Sequence, residues 1–241
     1  GRHLGVLERS MTRRWLLPLT LATAMAIAAC ESPDTPVRLT PYQFRLAGTD
    51  TVFHWPDSSL PVRFWVEPAG ALPQYVDRGL RMWERQFLYG EFRGLRVSDS
   101  AAADVLVFME GDPPPQAPLT GDPPLLVCEG VTLVPARQAD PSGGTRFAGR
   151  LEVDVWWYAG FAASDVANCL ARVTAHELGH ALGIFAHSAD PNDLMFLRPD
   201  APAPSLRDRS TIQVLYHTPA DILPWIPMPG SPAVAATTPI R

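Results

Sequence analysis

The stretch HELGHALGIFAH, from His176 to His187, constrains this chain more than any other. His176 and His180 stand four apart, and in a helix that spacing puts two side chains on one face, a turn apart. Two imidazoles so placed can grip one zinc ion, while Glu177 sits beside the first of them, where a carboxylate can take a proton from an attacking water. A zinc site that does chemistry needs a third protein donor and a fourth position left open. His187 cannot be that donor in an unbroken helix. Seven further residues would carry it about 10 Å along the axis, whereas zinc bonds nitrogen at about 2 Å. The chain must leave the helix and turn back. Gly183 permits this, because glycine takes the positive φ that helix C-termini favour, and Ile184-Phe185-Ala186 then form the return.

Asp190 and Asp193 are the other donors within reach of that loop. Asp190 precedes Pro191 and reads as a turn residue, so His187 is favoured on ligand chemistry. A downstream glutamate is excluded, since none follows Glu177. His3, His54 and His217 read as surface or structural residues, and Trp156 and Trp157 as core.

Around this segment the chain alternates strand and helix signals. LPVRFWVEP (60–68) reads as a strand closed by proline, and PQYVDRGLRMWERQFLYGEF (73–92) as a helix. ADVLVFME (103–110), LLVCEGVTLVPA (125–136) and RLEVDVWWY (150–158) read as further strands, with a proline-dense loop over 111–124. SDVANCLARVTAHELGHALG (164–183) is a long helix that opens on Ser164 or Asp165 as N-cap, and SLRDRSTIQVLYH (205–217) is a last helix. The order predicts an α+β domain built on one mixed sheet.

The ends carry different information. Residues 1–10 precede Met11 and read as a start-site misassignment. Arg13 and Arg14, then WLLPLTLATAMAIAA, make residues 11–29 an export signal, too short and Pro-interrupted for a membrane span. Ile27-Ala28-Ala29-Cys30 resembles the lipobox of bacterial lipoproteins, which implies lipidation at Cys30, a tether over 30–51 and an outer-membrane or cell-surface location. Export makes Cys128 and Cys169 a disulfide pair. Residues 219–241 are Pro-rich and expected to be irregular. The chain contains no lysine, its arginines are scattered and its net charge is −5, which excludes nucleic acid as the main partner.

His187-Ser188-Ala189-Asp190-Pro191-Asn192-Asp193-Leu194-Met195 resembles the H-S-x-D-P-x-x-L-M segment of the matrixins, a metzincin family. The resemblance implies a metzincin-like catalytic domain over 52–218, with a mixed, mostly parallel sheet, a long active-site helix and a C-terminal helix. It implies one catalytic Zn2+ on His176, His180 and His187, Glu177 as the catalytic base, and Met195 as a turn residue beneath the ligands. It further implies a monomeric endopeptidase on protein or peptide substrates, which would lie extended along an edge strand near 130–136 and fill a pocket lined from 196–204. The chain departs from the family pattern in one extra residue between Gly183 and His187, in Phe196 where tyrosine is usual, and in having no cysteine but Cys30 ahead of the domain. Calcium sites are not legible. Two rivals are a binding lipoprotein that keeps zinc as a structural clasp, and a metal-free adhesion or envelope protein.

Overall fold

The computed structural model describes residues 39–46, 48–109, 126–226 and 237–240. The expected export signal, Cys30, His3 and the proline-dense loop lie outside these residues. Strand β1 (Val62–Val66) alternates buried and exposed positions, so Val62, Phe64 and Val66 face the core. Helix α1 (Leu72–Glu84) has proline in its first turn and buries Leu72, Val76, Gly79, Leu80 and Trp83 as one stripe. It is shorter than its periodicity predicts. Phe87 leaves the helical path to pack on Phe92 and Tyr216, so tertiary aromatic contacts override the local spacing.

Strands β2 (Gly94–Val97), β3 (Val105–Met109), β4 (Cys128–Pro135), β5 (Arg137–Ala139), β6 (Thr145–Phe147) and β7 (Leu151–Trp157) follow. Then come helices α2 (Ala163–Ala181) and α3 (Leu206–Tyr216), and the short strands β8 (Ile222–Leu223) and β9 (Thr237–Ile240). The main sheet has the order β2-β1-β3-β7-β4-β9. Its β2–β1, β1–β3 and β3–β7 ladders are parallel, and β4 is antiparallel to both its neighbours. The α+β class and the mostly parallel sheet are as the sequence implies. A second sheet, β5-β6-β8, is an addition that three-residue strands gave no means to foresee.

Three expectations need correction. The α2 N-cap is Ala162, with Asp165 inside the first turn, where its charge favours the helix dipole. Trp156 is buried, but Trp157, the last residue of β7, is 38% exposed. The segment after 219, expected to be irregular, contributes β8 to the small sheet and β9 to the edge of the main one.

What positions the site is the layering around α2. Every residue from Val173 to Ala181 is buried, which places this half of the helix between α1 on one side and β4 and β7 on the other. A Cβ on Gly79 would meet Leu178 Cδ1 at 2.6 Å, so glycine there lets α1 press close. The indole of Trp83 donates to the Ala175 carbonyl at 2.8 Å. The expected disulfide forms between Cys128 at the head of β4 and Cys169 on α2. Closing that loop stabilises the fold by about 4 kcal/mol in the chain-entropy view. The helix is thereby fixed to the strand that faces it.

Candidate metal centre

The end of α2 decides where the third histidine goes. Gly183 has φ 110°, its N–H bonds the His180 carbonyl at 2.9 Å, and the Ile184 N–H bonds the Gly179 carbonyl at 3.1 Å. These two bonds are the Schellman arrangement, which reverses the chain at a helix end. A side chain on Gly183 is doubly barred, since a Cβ would sit 2.1 Å from the Phe53 carbonyl oxygen. The reversed chain brings the Ile184 carbonyl over His180 and delivers His187 beside both helical histidines.

The ligand atoms of His176, His180 and His187 all lie within 4.8 Å of one another. His180 Nε2 is 3.1 Å from His176 Nε2 and 3.2 Å from His187 Nε2. His176 Nδ1 lies 2.7 Å from the Leu194 carbonyl and His180 Nδ1 lies 2.5 Å from the Ile184 carbonyl. A carbonyl only accepts, so on both rings the proton is at Nδ1 and Nε2 carries a lone pair. Two such acceptors face each other across 3.1 Å with no proton to share. Burial pushes His176 down to about 4 and His180 well below the usual imidazole range, while His187, half-buried, is lowered for the same reason. Neutral imidazoles with converging lone pairs are the form a metal requires. Tetrahedral zinc with about 2.05 Å bonds would space its nitrogens about 3.3 Å apart, so the donor set fits this ion closely. The carbonyls of Leu194 and Ile184 are the outer partners that orient ligating histidines.

The floor is built by the loop after His187. Met195 is fully buried, and a Cβ on Gly179 would meet its Sδ at 2.4 Å, so the sulfur presses into the space glycine leaves directly between the ligand-bearing turns. Asp208, in the first turn of α3, accepts from Leu194 N at 2.7 Å, Ser205 N at 2.8 Å and the Tyr42 hydroxyl at 2.6 Å. It completes a capping box with Ser205. The same carboxylate thus caps α3 and hangs the turn that supports His176. Asp193 accepts from the hydroxyls of Ser188 and Ser205, and Asp190 from Arg207 at 2.6 Å. Both aspartates are spent on the loop, which leaves His187 as the third donor.

Glu177 is 4% exposed. The Thr132 hydroxyl donates to its Oε2 at 2.8 Å. Burial pushes the carboxyl up to about 8, with Asp154 and Glu129 adding to the push and the Thr132 bond opposing it; a cation at the imidazoles would draw it down. Gly130 of β4 is the neighbour that makes room, because a Cβ there would meet Glu177 Cγ at 2.7 Å and Oε1 at 2.8 Å. Beside these groups opens a largely apolar cavity of about 500 Å³ between Leu126–Gly130, the Cys169–Val173 face of α2 and Leu197–Asp200. Its outer wall lies within the expected 196–204 segment. Thr132, Gly130 and Asp208 escaped the sequence reading. The partners of Thr132 and Gly130 are distant in sequence and nothing local marks these two, whereas Asp208 stands three residues after Ser205, a capping-box spacing that the sequence does carry.

The family model for Matrixin matches residues 69–217, more than half of the 241-residue chain. Among curated proteins, interstitial collagenase of Bos taurus is 29% identical over 123 residues, which is 51% of this chain and 23% of the collagenase. The chain therefore spans less than a quarter of that relative's length. The family match runs from the turn ahead of α1 to the end of α3 and takes in the whole metal centre, so the chain belongs to the matrixins, a family of zinc metallopeptidases.

Proposed function

We propose that this domain is an endopeptidase that cuts extended segments of protein substrates at the cell envelope or surface. The observation that carries the reading is the Glu177 carboxylate, held by Thr132 beside three converging imidazoles and at the mouth of an apolar cavity. A zinc clasp kept only for stability has no use for an acid-base group at that place. Bound zinc would supply polarisation of the scissile carbonyl and of the attacking water. Glu177 takes the proton of that water and passes it to the leaving amine, and Thr132 keeps one carboxylate oxygen from swinging away. The cavity receives an apolar side chain next to the cut.

Backbone pairing supplies the remaining hold. The Val127 carbonyl accepts from Tyr158 N, on the β7 side. Backbone polar groups alternate along a strand, so those of Cys128 and Gly130 point to the opposite, outer edge. An extended peptide laid antiparallel there bonds main chain to main chain, which admits many sequences.

A proteome-derived peptide library digested with and without a chelator tests the activity. Cleavage that the chelator stops, and that Glu177→Ala abolishes at unchanged zinc content, is the expected result. No cleavage by protein fully loaded with zinc would favour the clasp. Anchoring through a lipid on Cys30, at the outer membrane, rests on the lipobox resemblance. Membrane fractionation of the wild type against Cys30→Ala tests it, with release of the variant expected.

A further inference from the structure

The outer edge of β4 already holds a strand. β9 pairs antiparallel with it, Thr237 opposite Pro135, Thr238 opposite Val134, Pro239 opposite Leu133 and Ile240 opposite Thr132. The prolines agree with the strand parity. Pro135 and Pro239 both fall in pairs whose N–H groups point away from the partner, while Thr132–Ile240 and Val134–Thr238 are the pairs that exchange bonds. That is the parity at which Gly130 faces outward. β9 therefore uses the same row of main-chain groups that the proposed substrate would use, in the same direction, and it ends two residues short of Gly130, beside Glu177.

We propose that β9 is an intramolecular occupant of the substrate edge, covering the positions that receive residues N-terminal to the scissile bond and leaving the cavity side open. The inference rests on the endopeptidase reading. A peptide strand opposite Gly130, followed toward its N-terminus, runs into the row that β9 covers from Thr132 onward. The chain in this state accepts peptides with a short N-terminal side, and longer ones bind only by displacing β9. Displacement is feasible because β9 has four residues, sits at a sheet edge and pairs with a single neighbouring strand, with Ile240 as its buried anchor. The covered row also explains why an edge strand as long as β4 need not invite other chains to pair there.

Two fluorogenic peptides, identical C-terminal to the cut and carrying either one or six residues before it, separate the outcomes. They are assayed on the full chain, on a chain ending at Ile226, and on full-length Thr238→Pro, which removes a ladder N–H without shortening the protein. In both altered proteins kcat/KM for the long peptide should rise at least tenfold, through KM, while the short peptide changes less than twofold. Binding of the long peptide to Glu177→Ala, with and without Thr238→Pro, should show the same tightening. An unchanged long-to-short ratio and unchanged binding would overturn the assignment of β9. Failure of every protein to cut either peptide, with tighter binding still seen on release of β9, would sink the endopeptidase reading and leave the occupied edge standing.

Discussion

The histidine-bearing end of α2 and the edge of β4 form the two sides of one cleft, and they are held in opposite ways. On the helix side every residue from Val173 to Ala181 is buried, two of the three imidazoles are oriented by a backbone carbonyl, and glycines at 179 and 183 are crowded by Met195 and by the Phe53 carbonyl. On the strand side Glu129 and Gly130 are half-buried, and the edge is completed by four residues that include proline. A metal tolerates errors of tenths of an ångström in its donors, so that wall is packed solid. A peptide of varied sequence needs only a row of backbone groups, so the facing wall can be shared, covered or exposed. The difference teaches that chemistry and recognition are divided between the walls, with the Cys128–Cys169 disulfide and the Thr132–Glu177 bond setting the distance between them.

Substitutions can break this contrast or sharpen it. The largest effects belong to the helix side. His187→Ala should lose activity and zinc together, with a fall in affinity beyond the about 10–100-fold that loss of an outer partner costs. Glu177→Ala should lose about 10²–10⁴-fold in kcat yet keep one zinc per chain, read by elemental analysis. Gly183→Ala forces a side chain into a positive-φ position against backbone, and denaturant unfolding should show a loss of about 3 kcal/mol. Thr132→Val keeps shape and removes the hydroxyl, so kcat/KM should fall about tenfold at unchanged zinc content. The smallest effect belongs to the edge. Thr238→Pro should lower global stability by less than about 1 kcal/mol, and a loss rivalling Gly183→Ala would erase the contrast.

How much of this could be read from the chain follows the same division. His176, Glu177, His180 and Gly183 were legible because helical spacing and helix-end glycine are local rules, and Met195 because it lies in a contiguous segment that resembles a known family. Thr132 reaches Glu177 across 45 positions, and Gly130 matters only for a Cβ it lacks, so neither leaves a local mark. β9 is not legible because the whole of 219–241 is Pro-rich, and Pro239 falls inside the strand itself. Only the strand parity beside Pro135, visible once partner and register are known, makes a proline acceptable there. The overrun of α1 has the same origin, since Phe87 obeys helical spacing and yet packs on Phe92 and Tyr216.

The most direct test of the account is X-ray absorption at the zinc edge on zinc-loaded protein, with His187→Ala alongside. Three imidazole nitrogens and one oxygen donor at about 2.0 Å, falling to two imidazoles in the variant, is the predicted result. Two imidazoles in the wild type, or a spectrum that His187→Ala leaves unchanged, would contradict it.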